Sequence, residues 1–407
     1  MRILQIIPSI SLVYGGPSQM VLGLSAALAS QGIDVTIITT DSNGDIGQIP
    51  LDVTLNQPIQ QNGYQIIYFR CSPFRRYKFS LSLLQWLNAN AQQFDLAHIH
   101  ALFSPVTTFA ATIARYRHLP YIIRPCGMLD PADLQKKKRL KQIYAAVLER
   151  PNLAGAAAIH FTSKQEAKIS ERFGLGGTGK MPVPQDFLPQ DNTGKMPVSQ
   201  DLVIPLGVRA DFYSDILPDS EIPIILFMSR IEPKKGLDLL IPALESLLAE
   251  GMNFHFILAG SNPQDAGYET KIQEKIQNSS LGKSTTITGF VSGDPKVALL
   301  RKADLFVLPS YYENFGIAVA EAMAAGVPVV ISDRIHIAED IQQAEAGWVG
   351  PLEVGAIANS IKSALLNPQE RQRRGLNGKE YAEKYYNWEA IARQTIDAYQ
   401  QILSSTN

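Results

Sequence analysis

The strongest constraint on this chain is a pattern that runs through it twice, in which short apolar runs of strand length alternate with longer stretches of helical period. The first set comprises Ile3 to Pro8, Val35 to Thr40, Ile66 to Phe69, Leu96 to His100, Tyr121 to Arg124 and Ala158 to Phe161, with helical stretches at Ser18 to Gln31, Leu81 to Gln93 and Pro105 to Arg117. The second set runs Ile224 to Met228, Phe254 to Ala259, Thr286 to Val291, Leu305 to Leu308 and Val327 to Ile331, again with helices between. Continuous apolar runs suit strands buried on both faces, and such strands belong to parallel sheets covered by crossover helices. The expected fold class is α/β: two doubly wound Rossmann-like domains facing across a cleft, with ligands bound where strand ends meet. A length of 407 residues agrees, because it exceeds what one hydrophobic core usually serves. The domains are expected at residues 1–207 and 208–385. Pro242, inside the helical pattern from Gly236 to Gly251, should kink that helix or mark an early start.

One stretch breaks the pattern. Thr178-Gly-Lys-Met-Pro-Val-Pro-Gln-Asp186 recurs as Thr193-Gly-Lys-Met-Pro-Val-Ser-Gln-Asp201, and its composition cannot bury much, so a flexible insert is expected near 175–201. The same stretch spells Gly174-Leu-Gly-Gly-Thr-Gly179, which matches a dinucleotide fingerprint by letters and approaches a phosphate-binding loop with Lys180. Both matches fail on context: a helix precedes rather than a strand, and Met181 stands where a Ser or Thr is required.

Composition removes several classes. A net charge of −1 argues against a chain built to grip nucleic acid. Two cysteines, Cys71 and Cys126, form no disulfide framework and suggest a reducing, cytoplasmic compartment. The apolar start is interrupted by Gln5, Pro8 and Ser9 and reads as a first strand rather than a signal peptide, and no apolar run is long enough to span a bilayer.

Chemistry concentrates in Tyr311-Tyr-Glu-Asn-Phe-Gly-Ile-Ala-Val-Ala-Glu-Ala-Met-Ala-Ala-Gly326. A buried strand precedes it, another follows, and Gly326 and Pro328 end a short helix between them. Glu313 and Asn314 fall in the loop and Glu321 in the helix body. A helix starting near Gly316 or Ile317 would offer unpaired amides to an anion, with no side chain at Gly316 in the way. Two carboxylates beside an anion site suit a ligand that carries phosphate and sugar diols together. The alternative makes Glu313 a solvated loop acid and Glu321 a first-turn acid matched to the helix dipole.

Two further constellations sit at strand ends. Met228-Ser-Arg-Ile-Glu-Pro-Lys-Lys-Gly236 places Arg230 and Lys235 where cations can clamp a diphosphate; alone, they read equally as exposed basic residues of a polar loop. In Tyr14-Gly-Gly-Pro17, Gly15 and Gly16 can admit a phosphate or sugar against bare backbone, or form a plain strand-to-helix turn.

In this order the motifs resemble the retaining glycosyltransferases of family 4 (group 1), which have the GT-B fold. The resemblance covers nearly the whole chain outside the insert. It implies that the residues matching Arg230 and Lys235 bind the donor diphosphate, that Glu313 contacts the transferred sugar, and that Glu321 holds the ribose hydroxyls. It implies further that the amides of Phe315, Gly316, Ile317 and Ala318 add to the phosphate site and that Gly289, Phe290 and Val291 pack on the nucleobase. The segment 386–407, which begins with Trp388-Glu-Ala-Ile-Ala392, resembles the family's closing helix and would cross back onto the N-terminal domain. Two positions depart from the pattern. Cys126 stands where the family often has a histidine touching the donor sugar, and Ser229 stands where it often has glycine.

The implied activity is transfer of a sugar, of hexosyl type, from a nucleotide-diphosphate sugar to an acceptor hydroxyl with anomeric configuration kept, in polysaccharide or glycolipid synthesis. The acceptor would be a saccharide or a lipid-linked one. The family provides no clear nucleophile of the kind a double displacement needs. Its usual proposal is a same-face reaction in which the departing diphosphate takes the acceptor proton. No Asp-x-Asp occurs in the chain, so no metal or other cofactor is expected, and Arg230, Lys235 and helix amides would stabilise the leaving group. His98 and His100 share one side of a strand and can be read as a metal pair, as hydrogen-bonded strand-end residues, or, at His100, as an acceptor contact. The basic run Lys136 to Lys141 reads as a solvated helix face or as a peripheral contact with anionic lipids at the inner membrane face. A sugar phosphorylase, a nucleotide-sugar epimerase and a non-catalytic sugar-binding protein are the competing classes, with no residue that favours them.

Overall fold

The computed structural model describes residues 1–44, 49–73, 78–129, 144–170, 200–209 and 221–406. The repeat up to residue 199, the glycine-rich letter matches at its start and the run from Lys136 to Lys141 lie outside these residues. The chain divides into two compact units, Met1–Gly207 with Trp388–Asn407, and Val208–Asn387.

The first unit is built on an eight-stranded sheet of β1 (Arg2–Ser9), β2 (Asp34–Thr40), β3 (Pro58–Gln61), β4 (Tyr64–Phe69), β5 (Leu96–His100), β6 (Tyr121–Arg124), β7 (Ala158–Phe161) and β8 (Gln200–Val203). Its order is β3-β4-β2-β1-β5-β6-β7-β8. Every pair is parallel, as expected, except that the edge strand β3, which lies outside the expected runs, pairs antiparallel with β4. The reason is Asn62-Gly63, whose φ angles of 47° and 84° make a tight hairpin turn of the mirror-image type that matches strand twist. β8 corrects the insert boundary: Gln200 and Asp201, the last residues assigned to the repeat, already pair with Ala158 and Ile159. Helices occupy Gly16–Ser30, Leu81–Asn90 and Pro105–Tyr116, as the periodicity predicts. Ser80 accepts a hydrogen bond from the Leu83 amide and caps the second of these.

The second unit carries β9 (Ile224–Met228), β10 (His255–Ala259), β11 (Thr285–Gly289), β12 (Leu305–Leu308), β13 (Val329–Ser332) and β14 (Gly347–Gly350), all parallel, in the order β11-β10-β9-β12-β13-β14. β14 is absent from the periodicity reading because only Trp348 and Val349 lie between its glycines. The chain winds outward from β9 in one direction, then returns to β12 and winds the other way. The carboxyl ends of β9 and β12 therefore flank the point where strand order reverses, the place at which open α/β sheets bind ligands. Pro242 does not mark a helix start: the helix Leu237–Ala249 begins five residues before it and continues past it.

The final helix, Trp388–Thr406, belongs to the first unit. Its Trp388 ring packs on Gly23 and Gly207, where an added Cβ would come within 2.3 and 2.2 Å of the indole. At its other end Tyr399 is fully buried. Among the described residues no helix is long and apolar enough to cross a membrane.

Candidate active site

The loops leaving β9 and β12 are locked together by a glycine. Gly236 has φ +74°, and a Cβ there would lie 1.9 Å from the Pro309 carbonyl oxygen. That contact sets the register of the two loops, and the Tyr311 amide donates to the Lys234 carbonyl at 2.8 Å across them. Lys235, in the turn before Gly236, is thereby buried, with its ammonium donating to Glu313 Oε1. Ser310 Oγ donates to the same oxygen at 3.3 Å.

Arg230 is not on Glu313. Its Nη2 lies 3.6 Å from Glu232 Oε1, with Lys234 Nζ at 3.5 Å and Lys235 Nζ at 4.0 Å from the same atom. Glu232 was missed in the sequence, where only its place between basic residues hints at it. Burial by itself raises the Glu313 carboxyl, but the Lys235 and Lys234 charges and the hydrogen bonds from Lys235 and Ser310 outweigh it and hold the group below the usual carboxylate range.

Behind Glu313 the helix Ile317–Ala324 begins at Gly316, in the left-handed conformation with φ 84° and ψ 60°. The Gly316 carbonyl accepts from the Val319 and Ala320 amides, leaving those of Ile317 and Ala318 without an intrahelical acceptor. Phe315 is buried and meets Tyr386 edge-on at 5.2 Å, which anchors the turn, while Asn314 is half-buried. At the far end Gly326 donates to Met323 and Val327 to Ala322, the expected glycine stop.

Glu321 is the fifth residue of this helix and not a first-turn acid, which removes the dipole reading of it. It forms an ion pair with Lys296, from the helix Gly293–Lys302 that follows the Gly289-Phe290-Val291 loop. Burial raises the Glu321 carboxyl above the usual range, against the lowering influence of Lys296. Gly289 ends β11 with φ 71°, Phe290 is 61% exposed and Val291 is half-buried. Lys296 escaped the sequence reading, and so did His336. Its ring donates to the Asn314 carbonyl and burial pushes its pKa down to about 4, so it stays neutral beside Glu313.

In the first unit, Gly15 caps the helix Gly16–Ser30 without a side-chain bond, and Gly16 and Pro17 open it. His98 and His100 are both fully buried. His160 Nε2 bonds the Ile204 carbonyl at 2.9 Å, His160 Nδ1 meets His98 Nε2 at 3.2 Å, and His98 Nδ1 meets the Tyr399 hydroxyl at 2.7 Å. Gln5 Nε2 donates to that hydroxyl at 3.3 Å, and His100 Nε2 lies 2.6 Å from Gln5 Oε1. Burial, followed by neighbouring cationic groups, pushes all three imidazoles well down, His160 to about 3, so they are neutral. The directions then follow. The Ile204 carbonyl accepts, so His160 carries its proton on Nε2, His98 donates from Nε2, Tyr399 donates to His98 Nδ1, and His100 donates from Nε2 to Gln5.

This is the hydrogen-bonded reading of the histidines. It leaves His100 no exposed nitrogen for an acceptor, and no group of three or more His, Cys, Asp or Glu among the described residues can hold a metal ion. Cys126 follows β6 at φ 55° beside the buried Arg124, and burial raises its thiol.

Two doubly wound units, the second with cations and carboxylates at its switch point, define a GT-B-type protein. Residues 15–181 match the family model of the glycosyl transferase 4-like domain and residues 210–381 that of the glycosyl transferases group 1. The chain belongs to the group 1 glycosyl transferases. An uncharacterized glycosyltransferase of Methanocaldococcus jannaschii is 32% identical over 197 residues, 47% of this chain and 48% of that protein. The chain spans about half the length of the curated relatives it matches. Among solved structures, sucrose-phosphate synthase from Thermosynechococcus elongatus aligns over 100% of both chains with TM-score 0.73 at 22% identity. Anabaena HepE in complex with UDP and glucose aligns over 98% of this chain and 99% of that one, with TM-score 0.71 at 18% identity.

Proposed function

We propose that this protein transfers a glycosyl group, of hexosyl type, from a nucleotide-diphosphate sugar to an acceptor hydroxyl with retention of anomeric configuration, in polysaccharide or glycolipid synthesis. The observation that carries this reading is the Lys235–Glu313 pair at the point of strand reversal, beside Arg230, Lys234 and the uncapped amides of Ile317 and Ala318. A diphosphate meets cations and amides there, while the adjacent carboxylate, kept ionised by those cations, accepts hydrogen bonds from sugar hydroxyls. In the reaction the bond between the anomeric carbon and the phosphate oxygen breaks as the acceptor oxygen bonds the same face. The acceptor proton passes to the leaving diphosphate, whose charge Arg230 and Lys235 stabilise.

Glu313 orients the sugar, Glu321 accepts from the ribose hydroxyls, and Gly289, Phe290 and Val291 lie along the nucleobase. The UDP held by the similarly folded Anabaena HepE supports a nucleotide donor. The chemistry asks for no metal, since fixed cations supply the positive charge. The acceptor is a saccharide or a lipid-linked one, and the setting is the cytoplasm, with peripheral contact at the membrane where lipids carry it. Glu313→Gln should lower kcat about a hundredfold while nucleoside diphosphate affinity stays within a few-fold. An unchanged transfer rate would remove Glu313 from this role.

A further inference from the structure

Within the helix Gly293–Lys302, Asp294 and Pro295 are exposed, whereas Lys296, Val297 and Leu300 turn inward at helical spacing. An inward position on a half-apolar face is costly for an ammonium unless a partner takes it. The partner is Glu321 Oε1, and the two side chains keep only 19% and 15% exposure. Glu321 is reached by no other ion pair among those of the described residues. One carboxylate oxygen is therefore committed to Lys296 and the other remains to accept from a ligand.

We propose that Lys296 is a positioning residue for the nucleotide: by pairing with Glu321 it keeps a buried carboxylate ionised and fixed, so that its second oxygen accepts from the ribose 2′-hydroxyl, giving selectivity for ribonucleotide over 2′-deoxyribonucleotide donors. This rests on the donor reading of Glu321 above. A buried carboxylate without its counter-ion takes up a proton or turns toward water, and in either case an acceptor for the diol is lost. The loss of a purely structural pair, holding one helix against the other, would weaken the ribonucleotide and its 2′-deoxy form alike.

The test is isothermal calorimetry of the full chain with UDP, GDP and ADP and with the 2′-deoxy form of each. The wild-type protein should bind one ribonucleotide about tenfold more tightly than its 2′-deoxy form, the worth of one hydrogen bond to a charged group. Lys296→Met should weaken the ribonucleotide by that factor and leave the deoxy form unchanged, and Lys296→Arg should restore the preference. Lys296→Gln carries the same comparison if the methionine variant does not fold. No binding of any of the six by the wild-type protein would overturn the donor reading itself. Binding without preference, or a preference that survives Lys296→Met, would overturn the role of Lys296 and leave that reading standing.

Discussion

At the scale of single residues, the site depends on how tightly two loops approach. Gly236 combines a left-handed backbone with a Cβ position only 1.9 Å from the Pro309 carbonyl oxygen. Backbone cannot give way as a flexible side-chain end can, so Gly236→Ala should destabilise the protein by about 2–4 kcal/mol, read as a lower urea midpoint at unchanged m-value. A midpoint within error of wild type would contradict the packing described. Such glycines are legible in sequence as turn signals, and Gly236 was placed at a helix entry. What sequence did not disclose is which acid each base meets. Lys235 meets Glu313 from 78 residues away, whereas Arg230 meets Glu232, two positions along. Lys296 and Glu321 lie 25 residues apart on different helices, a pairing that only the packing of both helices onto the sheet creates.

At the scale of elements, the helix Trp388–Thr406 is tied to its unit by Trp388 over two glycines and by Tyr399 in the histidine network. The imidazoles are held neutral by burial, so their folded pKa values lie below the unfolded value of about 6.5. Groups of this sign contribute stability that is full above the unfolded pKa and is lost as pH falls toward the folded one. Urea unfolding should therefore show stability declining between pH 7 and pH 5, mainly in the first unit, and His160→Asn should flatten that decline. Tyr399→Phe leaves His98 Nδ1 without its donor and should cost about 1–3 kcal/mol at pH 8. Stability that is level from pH 8 to pH 5 would contradict the neutral network.

At the scale of the whole molecule, the double alternation of strand and helix patterns carried the architecture. Runs such as Leu96–His100 and Leu305–Leu308 are buried on both sides, and periodicity located them to the residue. The pattern failed where burial is slight or the strand is short: β3 is mostly exposed, β14 has two apolar residues between glycines, and β8 begins within the last two residues of the repeat. The places of Arg230, Lys235 and Glu313 were legible because each lies in a loop that directly follows a strongly apolar strand. The site's counter-ions were not, since they come from distant segments.

The central claim is retaining transfer of a sugar from a nucleotide donor, and proton NMR of the purified protein with nucleotide α-sugars and an acceptor hydroxyl tests it most directly. The expected spectrum shows the donor anomeric signal giving way to free nucleoside diphosphate and an α-linked product. A β-linked product, or no consumption of any donor across a panel of nucleotide sugars and acceptors, would contradict the account.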